Sequence, residues 1–141
     1  MKVRDLMTAQ VVSCSPNTTC SDAARMMKQE DVGSIPVVEG PNLVGIITDR
    51  DIIVKCVATN GDCNTMTVSQ TMTKNPVTCS PETDAHEASR LMSSEQIRRL
   101  PVVEGNKLVG MLALGDLAVV NIHVDEAGEA LSGISVQNQV H

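Results

Sequence analysis

The feature that most constrains this chain is an internal repeat. Shifted by 65 positions, residues 3–55 lie over residues 68–120 without a gap. Cys14-Ser15-Pro16 meets Cys79-Ser80-Pro81, and Pro36-Val37-Val38-Glu39-Gly40 meets Pro101-Val102-Val103-Glu104-Gly105. Leu43-Val44-Gly45 meets Leu108-Val109-Gly110, and Asp51 meets Asp116. Roughly 40% of the overlaid positions are identical, far above chance for an ungapped register. The chain therefore divides into a first domain over residues 1–60, a linker over 61–67, a second domain over 68–122 and a tail over 123–141. Asn60-Gly61-Asp62 marks the turn that opens the linker.

Each repeat reads as β-α-β-β-α. Val11-Val12-Ser13 predicts a short strand. Thr19-Cys20-Ser21-Asp22, with its counterpart Asp84-Ala85-His86-Glu87, predicts a capped helix start. Cys20, Ala23, Ala24 and Met27 then fall on one helical face, as do Ala85, Ala88, Ser89 and Met92. The apolar runs 35–38 and 43–47, joined by Glu39-Gly40-Pro41-Asn42, predict a hairpin with a four-residue turn. A second helix opens near Asp49. The fold class is thus α/β in the α+β sense. One such unit buries little surface alone, so two packed about a pseudo-twofold axis, as a disc, are expected. In the tail, residues 125–131 predict a short amphipathic helix with an acidic start.

Composition narrows the function. The chain has 141 residues and no Phe, Tyr or Trp. Without aromatic platforms it has no side chains for stacking on single-stranded nucleic acid. A net charge of −6 disfavours binding to duplex phosphates. No run approaches the ~18 apolar residues of a membrane span, and the charged start at Lys2, Arg4 and Asp5 lacks the apolar stretch of a signal peptide. A cytoplasmic protein is expected, without nucleic-acid or membrane partners, whose five cysteines stay reduced.

The repeat length and the pattern hydrophobic-Pro-Val-Val-x-x-Gly, followed by Leu-Val-Gly-h-h-Thr-x-x-Asp, resemble the CBS domain, the module named for cystathionine β-synthase. Ile97-Arg98-Arg99-Leu100-Pro101 and Leu112-Ala113-Leu114-Gly115-Asp116 resemble small stand-alone bacterial CBS-pair proteins. The resemblance implies a Bateman module, often a homodimer, that holds AMP, ADP, ATP, S-adenosylmethionine or a related ligand in clefts between the repeats. It implies regulation of a partner protein, whose identity the sequence does not give, and requires no cofactor or catalysis.

In that pattern the Thr faces phosphate and the Asp binds ribose hydroxyls, which places Thr48, Arg50 and Asp51 in a ligand site. A helix start favours an anion, and a carboxylate suits vicinal hydroxyls. Thr48-x-x-Asp51 is equally a capping box, so the two roles share the same atoms. Arg98 and Arg99 carry guanidinium groups suited to phosphate, and their alternation puts one toward the cleft. The first site is expected to join Thr48, Arg50 and Asp51 with Val77, Thr78, Arg98, Arg99 and Pro101. A second, weaker site would join Val12, Ser13, Ser34 and Pro36 with Ala113 and Asp116, without the Thr or the Arg pair.

Other chemistry finds little support. There is no C-x-x-C, and Cys56, ahead of the linker, and Cys63, within it, have no close Cys or His partner, so a structural zinc site is not expected. A redox-sensing role for either thiol finds little support, because nothing nearby clearly lowers a thiol pKa. His86, His123 and His141 read as exposed. No P-loop, dinucleotide fingerprint or nucleophile elbow occurs. The methionines read as core filler. A scaffold with degenerate sites and a small enzyme remain the alternatives to a nucleotide sensor.

Overall fold

The computed structural model describes residues 1–119. The tail over 123–141, with its expected helix at 125–131 and with His123 and His141, lies outside the described residues. The chain forms two compact units. One is Val12–Pro76, and the other joins Met1–Val11 to the described residues from Val77.

In the first unit the strand expected at residues 11–13 does not form. A single parallel bridge stands in its place at Cys14, whose N–H donates to the Pro36 carbonyl (3.1 Å) and whose carbonyl accepts from Val38 N–H (2.9 Å). Pro16 lacks the N–H that a continuing ladder would need, so the chain turns away. Helix α1, Cys20–Glu30, starts at Thr19, whose hydroxyl accepts from Asp22 N–H at 3.1 Å. Its buried seam is Cys20, Ala23 and Met27. Ala24 is exposed, contrary to expectation, because the seam is narrower than a full amphipathic face. Asp31, in the left-handed conformation (φ 54°), closes the helix.

Strands β1 (Ser34–Glu39) and β2 (Asn42–Thr48) form the expected hairpin. Its turn is two residues rather than four, since Glu39 pairs with Asn42. Gly40 takes the positive φ (59°) that the first position of such a tight turn requires. Helix α2, Asp49–Ile52, runs directly into a π turn at Ile53–Val57. Helix α3, Val68–Thr71, and strand β3, Thr73–Lys74, complete the unit, with β3 antiparallel to β2 at Gly45 and Ile46. Ile35, Val37, Ile47, Ile52, Cys56 and Val68 fill the core.

The second unit repeats this plan. A 3₁₀ turn at Val3–Asp5 corresponds to α3. Helix α4 is Ala85–Glu95, with Ala85, Ala88, Ser89 and Met92 all buried as expected. Strands β4 (Arg99–Glu104) and β5 (Lys107–Ala113) pair through a turn at Gly105 (φ 63°), and α5 covers Leu114–Val119. Leu100, Val102, Leu112 and Leu117 join Val3 and Met92 in the core.

The compact units are offset from the repeats as they run in sequence, because the lead segment of each repeat packs on the body of the other. Val3 N–H donates to Thr83 O (2.8 Å), as Val68 N–H does to Thr18 O (2.7 Å). Ala85 N–H donates to Met1 O (2.8 Å), as Cys20 N–H does to Met66 O (2.9 Å). Each lead segment thereby satisfies a helix-start N–H that has no acceptor within its own helix. Val3 and Val68 are fully buried, and burying a valine contributes about 1.5–3 kcal/mol.

Candidate functional site

The strand-to-helix junction after β2 holds a polar group bound from several sides. Asp51 Nα–H donates to Thr48 Oγ1 (3.0 Å), and Thr48 N–H donates to Asp51 Oδ2 (3.1 Å). Thr73 Oγ1 approaches the same carboxylate oxygen at 3.5 Å, while Lys55 Nζ lies 3.2 Å from Oδ1. Asp51 is only 9% exposed. The expected capping box is therefore real, and one turn later Lys55 supplies a cation. That ammonium also donates to Thr71 O at 3.0 Å. Ser34, opposite Thr48 in the ladder, is half-buried. Arg50 is exposed, with its main-chain N–H held by Asp49 Oδ1 at 2.8 Å.

The matching junction after β5 keeps half of this device. Ala113 N–H donates to Asp116 Oδ2 at 2.8 Å, but Ala113 has no hydroxyl to return. Arg99 lies opposite Ala113 in the ladder. Burial holds the Arg99 guanidinium below its ordinary pKa, and the Asp116 carboxylate opposes that shift. Arg98, one residue before the strand, is exposed, so the two guanidinium groups do differ in environment.

The residues expected for the first site are divided between the units. Thr48, Arg50 and Asp51 belong to one, and Val77, Thr78, Arg98, Arg99 and Pro101 to the other. The second set divides likewise. Val12, Ser13, Ser34 and Pro36 lie in the first unit, and Ala113 and Asp116 in the second. Within units, the structure brings Thr48 to Asp51, and Arg99 to the charge of Asp116. Pro36 and Pro101 are buried, Val77, Thr78 and Ser13 are half-buried, and Val12 is exposed.

Two features lay beyond the sequence reading. The second unit has a groove of about 370 Å³ lined by Thr78, Cys79, Thr83, Glu87, Arg90 and Leu91, of which only Thr78 was expected in a site. The volume is at the small end for ligand pockets. In the first unit, Cys56 and Cys63 have a close thiol partner after all. Cys20 and Cys56 are fully buried in one cluster, and Cys63 packs against it. The turn at Gly61 hid this, because residues adjacent in space are separated along the chain. Cys14, in that same cluster, and Cys79, in the core of the other unit, sit at equivalent bridges, each pushed up to about 11 by burial.

A capped strand-to-helix junction ending in Asp, occurring twice in tandem α+β units, defines a paired-repeat module. The CBS domain model matches residues 3–57 and 68–123, and the chain belongs to the CBS domain family. It is 49% identical over 136 residues to the CBS domain-containing protein YhcV of Bacillus subtilis strain 168, covering 96% of each chain. A crystal structure of CBSX2 in complex with AMP matches with a TM-score of 0.76 at 27% identity, over 88% of this chain and 98% of that one. A hexameric CBS-CP12 protein from bloom-forming cyanobacteria matches with a TM-score of 0.73 at 30% identity, over 89% and 73%. No helix among the described residues is long and apolar enough to cross a membrane.

Proposed function

We propose that this CBS pair is a regulatory module that binds an adenosine-type ligand, namely AMP, ADP, ATP or S-adenosylmethionine, and passes the binding event to a partner protein. The observation that carries this reading is the repeated carboxylate. Asp51 and Asp116 stand at the same offset, each aimed by an N–H from the end of its own strand. Fixed carboxylates of this kind suit vicinal ribose hydroxyls. Thr48, Arg50, Arg98 and Arg99 supply the hydroxyl and cations for phosphate, and Val77, Thr78 and Pro101 supply apolar and main-chain contacts to the base. The AMP complex of CBSX2 supports the ligand class. Val12, Ser13, Ser34, Pro36, Ala113 and Asp116 form the weaker set, which suits a neutral adenosine-like ligand better than a phosphorylated one. Regulation requires that the ligand favour one conformation over another.

Thermal melting with each ligand tests the reading. A ligand at 100 times its Kd adds about 2.7 kcal/mol, a rise of roughly 9 °C for a chain of this size. Asp51→Ala removes part of a cap and lowers the baseline by itself, so the ligand-induced shift is the quantity compared. We expect the shift in the native protein, its loss in Asp51→Ala and no turnover of the nucleotide. An equal shift in Asp51→Ala sinks the ribose assignment, and turnover favours an enzyme.

A ligand-independent interaction module is the second reading. Ile53, Val54 and Val57 are 58%, 46% and 57% exposed along one π turn. Such a face suits a second copy of the chain, an arrangement supported by the oligomeric CBS-CP12 relative. No shift with any ligand, together with a dimer in solution, favours this reading.

A further inference from the structure

Three of the five cysteines gather in the first unit, at a place no ligand reading uses. Cys20 begins α1, Cys56 lies in the π turn after α2, and Cys63 lies in the following loop. The loop is folded back over the first two. Gly61 N–H donates to Cys56 O (2.9 Å), and a methyl group added at Gly61 would sit 3.5 Å from Cys56 Sγ. Ser21 N–H donates to Cys63 O (2.9 Å), which pins Cys63 to the start of α1. Asp62 O accepts from Met66 N–H (2.8 Å) and tightens the same turn.

The three thiols are not equivalent. Cys20 is fully buried and committed to Thr71 Oγ1 (3.4 Å) and Thr67 O (3.8 Å). Cys56 is fully buried too. A hydrogen-bonding interaction with the Cys63 thiol, then burial, then the charges and thiol of Cys63 and Cys20, push Cys56 up to about 12. Cys63 is only half-buried. The arrangement belongs to this unit alone in sequence, since the positions matching Cys20, Cys56 and Cys63 are Ala85, Asn121 and Gly128.

We propose that Cys56 and Cys63 are a reversible disulfide pair, in which Cys63 meets a low-molecular-weight disulfide and Cys56 resolves the product. Cys63 releases its proton to water and attacks the small disulfide RSSR. The Cys63–S–SR bond forms as the S–S bond of the reagent breaks, and the first RS⁻ leaves. Cys56 then gives up its proton, attacks Cys63 Sγ and expels the second RS⁻. Two protein thiols are oxidised, one small disulfide is reduced, and the two released protons convert both leaving groups to RSH. Closure brings the two sulfurs to about 2 Å and staples the π turn after α2 to the loop held on α1. Because Cys56 is seldom a thiolate at neutral pH, the second step is the slow one.

The test is intact-mass and non-reducing peptide analysis of the full chain during exposure to oxidised glutathione. The expected sequence is one glutathione adduct at Cys63, then its loss with a Cys56–Cys63 linked peptide, accelerating as pH rises and reversed by dithiothreitol. Cys56→Ser should stop at the stable Cys63 adduct, and Cys63→Ser should form neither adduct nor link at this place. A Cys20–Cys56 link, a link between chains, or a permanent Cys63 adduct in the native protein overturns the proposal.

Discussion

Single residues carry much of the meaning of the repeat, and Gly45 and Gly110 show why. Both recur at the same offset, which the sequence displays, but the reason is spatial. A Cβ on Gly45 would meet Thr73 O at 2.9 Å and Met72 Sδ at 2.7 Å. On Gly110 it would meet Thr8 O at 3.0 Å and Met7 Sδ at 2.6 Å. A methionine tip moves aside, but a main-chain carbonyl engaged in a β bridge does not. Gly110→Ala is therefore expected to lower stability by about 1–3 kcal/mol, the range for overpacking, with Gly45→Ala behaving alike. Gly115 has nothing within 4 Å of its Cβ position, so Gly115→Ala is expected to be neutral or stabilising by up to about 1 kcal/mol through helix propensity. Urea denaturation of the three variants measures this; equal effects at Gly110 and Gly115 would remove the close-approach argument. The candidate site was legible to the same depth. Thr48 and Asp51 announce their junction through spacing, and Lys55 stands at the i,i+4 offset from Asp51 that helical spacing pairs, whereas Cys63 over Cys56 depends on how a loop closes, which a spacing rule for regular helices does not anticipate.

At the scale of elements, periodicity found α1, α4 and both hairpins, since each has an apolar seam or a glycine turn to declare it. It missed the reduction of residues 11–13 to a single bridge, because β-branched composition says nothing about a partner strand. It also gave no role to the segment before them. That segment is held on the second unit by charge as well as by Val3. Lys2 Nζ lies 2.6 Å from Glu82 Oε2, and Arg4 Nη2 lies 2.9 Å from Oε1. Hydrogen bonding from Lys2, then the Arg4 and Lys2 charges, hold the Glu82 carboxyl below its ordinary pKa, against a smaller opposing effect of desolvation and Asp5. The folded state thus binds this proton less readily than the unfolded chain. The interaction is present above the unfolded Glu value of about 4.3 and is lost as pH falls through the lower folded value. Because these groups are exposed, salt should weaken the effect. Amide exchange at Val3, whose N–H is bonded to Thr83 O, is the readout. After correction for intrinsic exchange, its protection is expected to fall over that acidic window in the native protein. In Glu82→Gln it should be lower at neutral pH and flatter with pH. Identical profiles would show that Val3 burial alone holds the segment.

For the molecule as a whole, the sequence reveals how many units there are but not which residues complete each one. An ungapped repeat is blind to exchange, since a lead segment packed on its own repeat or on the other has the same sequence. Here the exchange is visible in matched bonds: Val68 N–H to Thr18 O and Ser69 N–H to Pro16 O in one unit, Val3 N–H to Thr83 O and Arg4 N–H to Pro81 O in the other. This makes a choice between two fragments of equal length. Residues 12–76 keep α3, β3 and the buried Val68 with the body they complete. Residues 1–65 follow the repeat but lose Val68 from the core, the β3 partner of Gly45 and Ile46, and the Met66 carbonyl that accepts from Cys20 N–H. Domains this small are marginal, burying only about 60% of the surface their unfolded chain exposes, so one absent valine and several unmade hydrogen bonds decide the outcome. Fragment 12–76 is expected to show helix and sheet by circular dichroism and a cooperative urea transition. Fragment 1–65 is expected to be largely unfolded under the same conditions. If the two fragments melt alike, the lead segments contribute little and each repeat is a sufficient folding unit as it runs in sequence. If only 12–76 folds, the exchanged segments are what make each repeat depend on the other.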